Sequence, residues 1–221
     1  MKKDVNMKLK KNIKAYTSGN IRMDDLDDDI DDILHEPYLP FLVETEVSQI
    51  VRIPLDEDIQ EPKYYRNILA KMESLGPNDA VIITISSYGG LLDGALTIID
   101  AIQRTEATVI GVITGMAASA ASIIALHCDE LYVTEYARML AHTARMGNSG
   151  KLPDVHDAHT FNRKFITRVF EDAYEGFLTP QEIEICLAGK EMYFDAEEIE
   201  LRLLARKAFR ETPEEDSEEN P

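Results

Sequence analysis

Apolar positions along the chain switch between two periods. Residues 46–53 (Glu-Val-Ser-Gln-Ile-Val-Arg-Ile) read as a strand stopped by Pro54. Pro62 opens a helix with Tyr65, Ile68, Leu69 and Met72 on one face, and Gly76-Pro77 end it. Ala80 to Ile85 is a short continuous apolar run, the pattern of a strand covered on both faces. After the turn Ser86-Ser87-Tyr88-Gly89-Gly90, Leu92, Ala95, Leu96, Ile99 and Ile102 recur at helical spacing. Thr108 to Ile113 is a second buried strand, and it runs into a turn at Gly115-Met116-Ala117-Ala118-Ser119. A helix of small and apolar residues follows from about Ala120 to Ala125. Short strands at 130–133 and 138–142 come next, the second ending on His142. This alternation predicts an α/β fold with a largely parallel sheet.

Beyond His142 the texture changes. Arg145 to Pro153 is a loop rich in Gly, Asn and Ser. A long helix is predicted over about 154–175, with Phe161, Phe165 and Val169 spaced i, i+4, i+8. So apolar a helix, standing apart from the strand–helix alternation, needs either its own core or another subunit to bury against. Thr179-Pro180-Gln181-Glu182 is a capping box with proline at the first helical position, and Asp195 with Glu198 caps a last helix in a similar way.

Charge sets the outer limits. The 221 residues carry a formal net charge of −18, which argues against non-specific binding to nucleic acid, where phosphate contacts need clustered Lys and Arg. Six lysines fall in residues 1–14 without the apolar stretch that would make a secretory signal. Seven aspartates then crowd residues 24–32; lacking a central glycine and a closing glutamate, they make no calcium loop. Residues 1–37 therefore read as a charged, disordered extension, 38–208 as the folded domain, and 209–221 as an acidic disordered tail. Cys128 and Cys186 have neither disulfide-framework nor metal-ligand spacing, and they read as core residues in a reducing cytoplasm.

The candidate chemistry gathers on Ser119. At a strand-to-helix turn a serine sits where the first helical N–H groups lack partners and the dipole end is positive. A nucleophilic oxygen and its oxyanion are stabilised there, although a small-residue helix packed closely on its neighbours would look the same. Gly89-Gly90, also after a buried strand, fit neither phosphate-loop spacing. By themselves they read as an ordinary turn; placed together with Ala120 they would aim two backbone N–H groups at one point beside Ser119. Of the five histidines, His35 lies by the acidic arm and His127 lies two turns along the serine's own helix. His156 and His159 share a turn of the long helix with Asp154 and Asp157, a pattern of solvated charge more than of a metal site. His142 alone ends a predicted strand, where α/β folds place reactive groups.

Taken together, Ser86-Ser87-Tyr88-Gly89-Gly90, Gly115-Met116-Ala117-Ala118-Ser119 and Arg138-Met139-Leu140-Ala141-His142 resemble the proteolytic subunit of the Clp protease, ClpP, including its phage-encoded relatives. The resemblance spans about residues 46–200, in order and at near-identical spacing. It implies a ClpP/crotonase-like fold of repeated strand–strand–helix units with a protruding handle helix. It also implies a serine endopeptidase with Ser119 as nucleophile, His142 as general base and the N–H groups of Gly90 and Ala120 as oxyanion hole. No cofactor or metal is implied. The expected assembly is a homo-oligomer of two stacked rings, usually of seven subunits each, with Phe161, Phe165 and Val169 buried between rings and any AAA+ unfoldase on a separate chain. The third triad position matches Glu191 where the family has aspartate, with Asp195 as rival. Tyr88 replaces a usual proline, no proline follows His142, and the last helix runs on to about Arg210. Two other readings stay open: a catalytically silent scaffold or adaptor of the same fold, and a crotonase-like acyl-CoA hydratase or isomerase using acidic bases.

Overall fold

The computed structural model describes residues 48–211 apart from Met146 and Asn148. The expected N-terminal extension, the first residues of the first strand and the tail beyond 211 lie outside them. Strands β1 (Ile50–Leu55), β2 (Ala80–Ser87), β3 (Thr108–Ala118), β4 (Glu130–Val133), β5 (Arg138–Ala141) and β6 (Met192–Asp195) form one mixed sheet. Its order is β1-β2-β3-β5-β6, with β4 beside the first half of β3. All pairings are parallel except β5 with β6. Helices α1 (Arg66–Glu73), α2 (Leu92–Arg104), α3 (Ala120–His127), α4 (Leu152–Tyr174), α5 (Pro180–Leu187) and α6 (Ala196–Glu211) complete it, with a 3₁₀ turn at Pro62–Tyr64. This is a mixed α/β architecture, as the strand–helix alternation predicts.

The first strand does not stop at Pro54; it continues to Leu55, with Pro54 opposite Thr84. On an edge strand the missing N–H costs no ladder bond, which is why proline is tolerated there. A second departure concerns the Gly115–Ala118 stretch, which is strand and not turn. Met116, Ala117 and Ala118 pair with Arg138, Met139 and Leu140. The whole change of direction thus falls on Ser119.

The core fills the space between sheet and helices. Val81, Ile83 and Ile85 of β2 and Val109 and Ile113 of β3 are fully or almost fully buried, and so are Ala95 and Ala101 of α2 and Ala121 and Ile124 of α3. Both cysteines are buried and unpaired, and burial pushes the Cys128 thiol up to about 12, so it behaves as a small apolar side chain. Helix α4 buries only Phe170, Ala173 and Tyr174 near its end, while Phe161 remains 72% exposed. No helix among the described residues is long and apolar enough to cross a membrane.

Around the sheet's β6 edge, one arginine ties three elements together. Arg202 of α6 forks onto Glu182 of α5 at 2.8 and 2.9 Å, reaches Glu198 at 3.0 Å, and stacks 4.7 Å above the Phe194 ring. Glu182 also closes the predicted capping box with Thr179. Hydrogen bonds from Arg202 lead the causes that hold the Glu182 carboxyl down to about 2 from 4.5. A depressed carboxylate contributes stability that is complete above about pH 4.5 and is lost as pH falls toward 2. Arg202→Met is therefore expected to cost roughly 2–3 kcal/mol at pH 7, with most of that gap gone at about pH 2. Urea denaturation at both pH values reads this, and a gap that does not change with pH would disprove it. Close by, Arg206 is 4% exposed and its guanidinium has no hydrogen-bond partner among the described residues; burial pushes it down to about 10.

Candidate active site

Ser119 stands between the end of β3 and the start of α3 with φ 56° and ψ −124°. Among the described residues it is the only non-glycine residue with positive φ. Such a backbone costs roughly 1–3 kcal/mol and persists only when its surroundings hold it. Here they do. Its N–H donates to Leu140 O at 2.9 Å, and its carbonyl accepts from Ser122 N–H at 3.0 Å and from the Ser122 hydroxyl at 2.6 Å. Ala120, the first residue of α3, has an N–H with no acceptor inside the helix.

The glycine pair comes to the same place from β2. Ile59 N–H donates to Gly89 O and Leu91 N–H to Ile59 O, each at 2.8 Å, and this parallel bridge turns the Gly90 N–H away from Ile59. The turn is pinned by Ser87, whose hydroxyl donates to Glu57 O at 2.7 Å and accepts from Gly89 N–H at 3.1 Å. Gly89 has φ 98°, and a Cβ placed on it would lie 2.6 Å from Ala118 O and 2.8 Å from Ser119 Cβ. A Cβ on Gly90 would strike the Ile59 backbone. These glycines thus permit a close approach of two backbones. Gly89→Ala is expected to destabilise the protein by roughly 2–5 kcal/mol, summing left-handed strain and overpacking. A melting temperature equal to wild type would contradict that.

One cleft of about 450 Å³ brings the sequence candidates together. Ser119, His142, Glu191, Gly90 and Ala120 all line it, with Tyr88, Leu91 and Arg145 at its sides and Ile123, Ile166, Val169 and Phe170 among its apolar walls. His142 directly follows β5, half-buried, one strand over from the serine. Among the described residues, no hydrogen bond joins Ser119 to His142 or His142 to Glu191. Glu191 accepts from Tyr193 Oη at 2.8 Å and meets Arg145 Nη2 at 3.4 Å. The Tyr193 hydrogen bond foremost, then the nearby His142 and Arg145, hold its carboxyl below the ordinary glutamate range. Asp195 does other work: it accepts the Glu198 N–H at 2.9 Å and caps α6.

The remaining histidines stay apart. His127 turns Nδ1 to Ile123 O at 2.8 Å and faces Asp172 at 3.6 Å, while His156 and His159 lie along an open face of α4. No group of three or more metal-ligating side chains occurs among the described residues. Sequence reasoning gave no role to Ser122 and Tyr174, both fully buried and 2.6 Å apart beneath the nucleophile. The available signal was a serine in the interior of an otherwise apolar helix, which must find a partner when buried.

The mixed sheet with its covering helices defines an α/β protein in which one cleft joins a strained serine, a histidine and a carboxylate. The Clp protease family model matches residues 45–178. The ATP-dependent Clp protease proteolytic subunit 1 of Chlamydia pneumoniae is 24% identical over 165 residues, 71% of this chain and 85% of that protein. A protein of the same name from Chlamydia muridarum (strain MoPn / Nigg) is 29% identical over 80 residues, 35% of this chain and 42% of its own. The chain belongs to the Clp protease family and is a ClpP-like protease.

Proposed function

We propose that the protein is a serine endopeptidase, the proteolytic subunit of a compartmentalised protease that cleaves unfolded or short polypeptides. His142 takes the proton of Ser119 Oγ as that oxygen attacks the peptide carbonyl carbon. The N–H groups of Gly90 and Ala120 hold the oxyanion, and Glu191 stabilises the imidazolium. Collapse breaks the C–N bond as His142 returns its proton to the leaving amine. Water, activated by the same histidine, then releases the acyl-enzyme. For this cycle Glu191 closes on His142, a tightening ordinary for a substrate-free site, and its two oxygens can accept that bond beside those of Tyr193 and Arg145. The observation that carries the reading is Ser119, held in a strained turn, sharing one cleft with His142, Glu191 and both N–H donors.

Phe161 and Phe165, exposed on α4, suit burial between stacked rings, so the assembly is a homo-oligomer, 14 subunits in the family's usual form. Folded substrates would need a separate AAA+ unfoldase. Cys128 and Cys186, buried and unpaired, suit a cytoplasmic setting.

Intact-mass spectrometry after fluorophosphonate treatment tests the activated serine directly. One adduct per chain, mapped to Ser119 and lost in His142→Ala, is the expected result. No adduct on an assembled wild-type oligomer would move the reading to a silent scaffold.

A further inference from the structure

We propose that Ser122 and Tyr174 are positioning residues that fix the direction of the Ala120 N–H by anchoring the Ser119 carbonyl; this rests on the peptidase reading above. The peptide unit between Ser119 and Ala120 is planar, so its C=O and N–H point in opposite directions. Holding the Ser119 oxygen therefore aims the Ala120 N–H; the Ser122 and Ile123 N–H groups reach that oxygen at 3.0 and 3.2 Å, and the Ser122 hydroxyl is its third and shortest donor. The Ser122 hydroxyl lies 2.6 Å from Ser119 O, 3.2 Å from Leu140 O and 2.6 Å from Tyr174 Oη.

The direction of these bonds follows from donor counts. A serine hydroxyl has one proton and two lone pairs. Tyr174 is fully buried, and burial pushes its hydroxyl well above the ordinary tyrosine range, so it keeps its proton. The partner of that hydroxyl is Ser122 Oγ. Tyr174 thus donates to Ser122, and Ser122 spends its own proton on the Ser119 carbonyl.

Two further features make the anchor consequential. Ser119 pairs φ 56° with ψ −124°, and turning the Ser119–Ala120 peptide carries that ψ toward the left-handed region that a φ of 56° allows. Leu140 O also accepts the Ser119 N–H, two residues before His142. The relay is therefore attached to the strand that presents the base. It ends on the last residue of α4, 52 residues along the chain from Ser122.

Tyr174→Phe removes one oxygen and keeps the ring against Phe170 and Phe177. The test combines crystal structures of Ser122→Ala and Tyr174→Phe with turnover of a fluorogenic peptide and inhibition by a peptide boronate. Expected are a turned Ser119–Ala120 peptide in Ser122→Ala and a fall in kcat of about 10–100-fold with KM held. Boronate affinity should fall in parallel, and the double variant should be no worse than Ser122→Ala alone. An unturned peptide in Ser122→Ala, or a loss confined to KM, overturns the proposal. A turned peptide with a wild type that never hydrolyses peptides supports the anchor and refutes the peptidase reading instead.

Discussion

Ser119→Ala is expected to lower kcat for peptide hydrolysis by on the order of 10⁶-fold, and His142→Ala to do nearly as much. Because proton removal and attack are one event, the double variant should be no slower than either single one. Residual turnover would then measure what the Gly90 and Ala120 N–H groups and binding alone provide. Assembled preparations matched in protein concentration and a fluorogenic peptide suffice for the measurement. A Ser119→Ala protein keeping a tenth of wild-type turnover would remove Ser119 as nucleophile. Additive losses would mean that the histidine acts on something other than the serine.

Glu191→Gln is expected to cost about 10⁴-fold in kcat, the loss that follows when the carboxylate orienting a catalytic imidazole becomes an amide. Asp195→Asn should leave kcat near wild type and lower stability by about 1 kcal/mol at most, because Asp195 caps α6 at 2.9 Å. The two variants separate the rivals that the sequence left open. Glu191 lines the cleft with His142, and its carboxyl is held below the ordinary range by Tyr193, His142 and Arg145. If Asp195→Asn proves the more damaging to turnover, the acid has been misassigned.

Where local chemistry decides, the sequence was informative. The capping box at Thr179 and the Asp195 cap follow from side chains within one turn, and both formed as read. The strand–helix alternation gave the sheet and the order of its covering helices. Non-local partners were hidden. Gly115 to Ala118 carries small residues that suggest a turn, and only pairing with β5 makes it strand. Pro54 looked like a stop because edge position is a property of the sheet, not of the segment. Of the site, the motif disclosed which residues meet but not how. Neither the Tyr193 and Arg145 contacts of Glu191 nor the Tyr174 hydroxyl beneath Ser119 leaves a pattern at any fixed spacing.

The divided pairing of β3 has a mechanical consequence. Ile110 to Ile113 are flanked by β4, but Met116 to Ala118 are flanked by β5. The glycine pair is borne by the β1–β2 wing, while His142 and Glu191 belong to a β5–β6 flap joined along three residues of one strand. Met139 and Ala141 of β5 and Phe194 of β6 are buried in the same core as β2 and β3, so the strand pair beside the imidazole and carboxylate is held by packing as well as by those three residues. A substitution that loosens this part of the core is therefore expected to shift His142 and Glu191 together relative to the glycine pair.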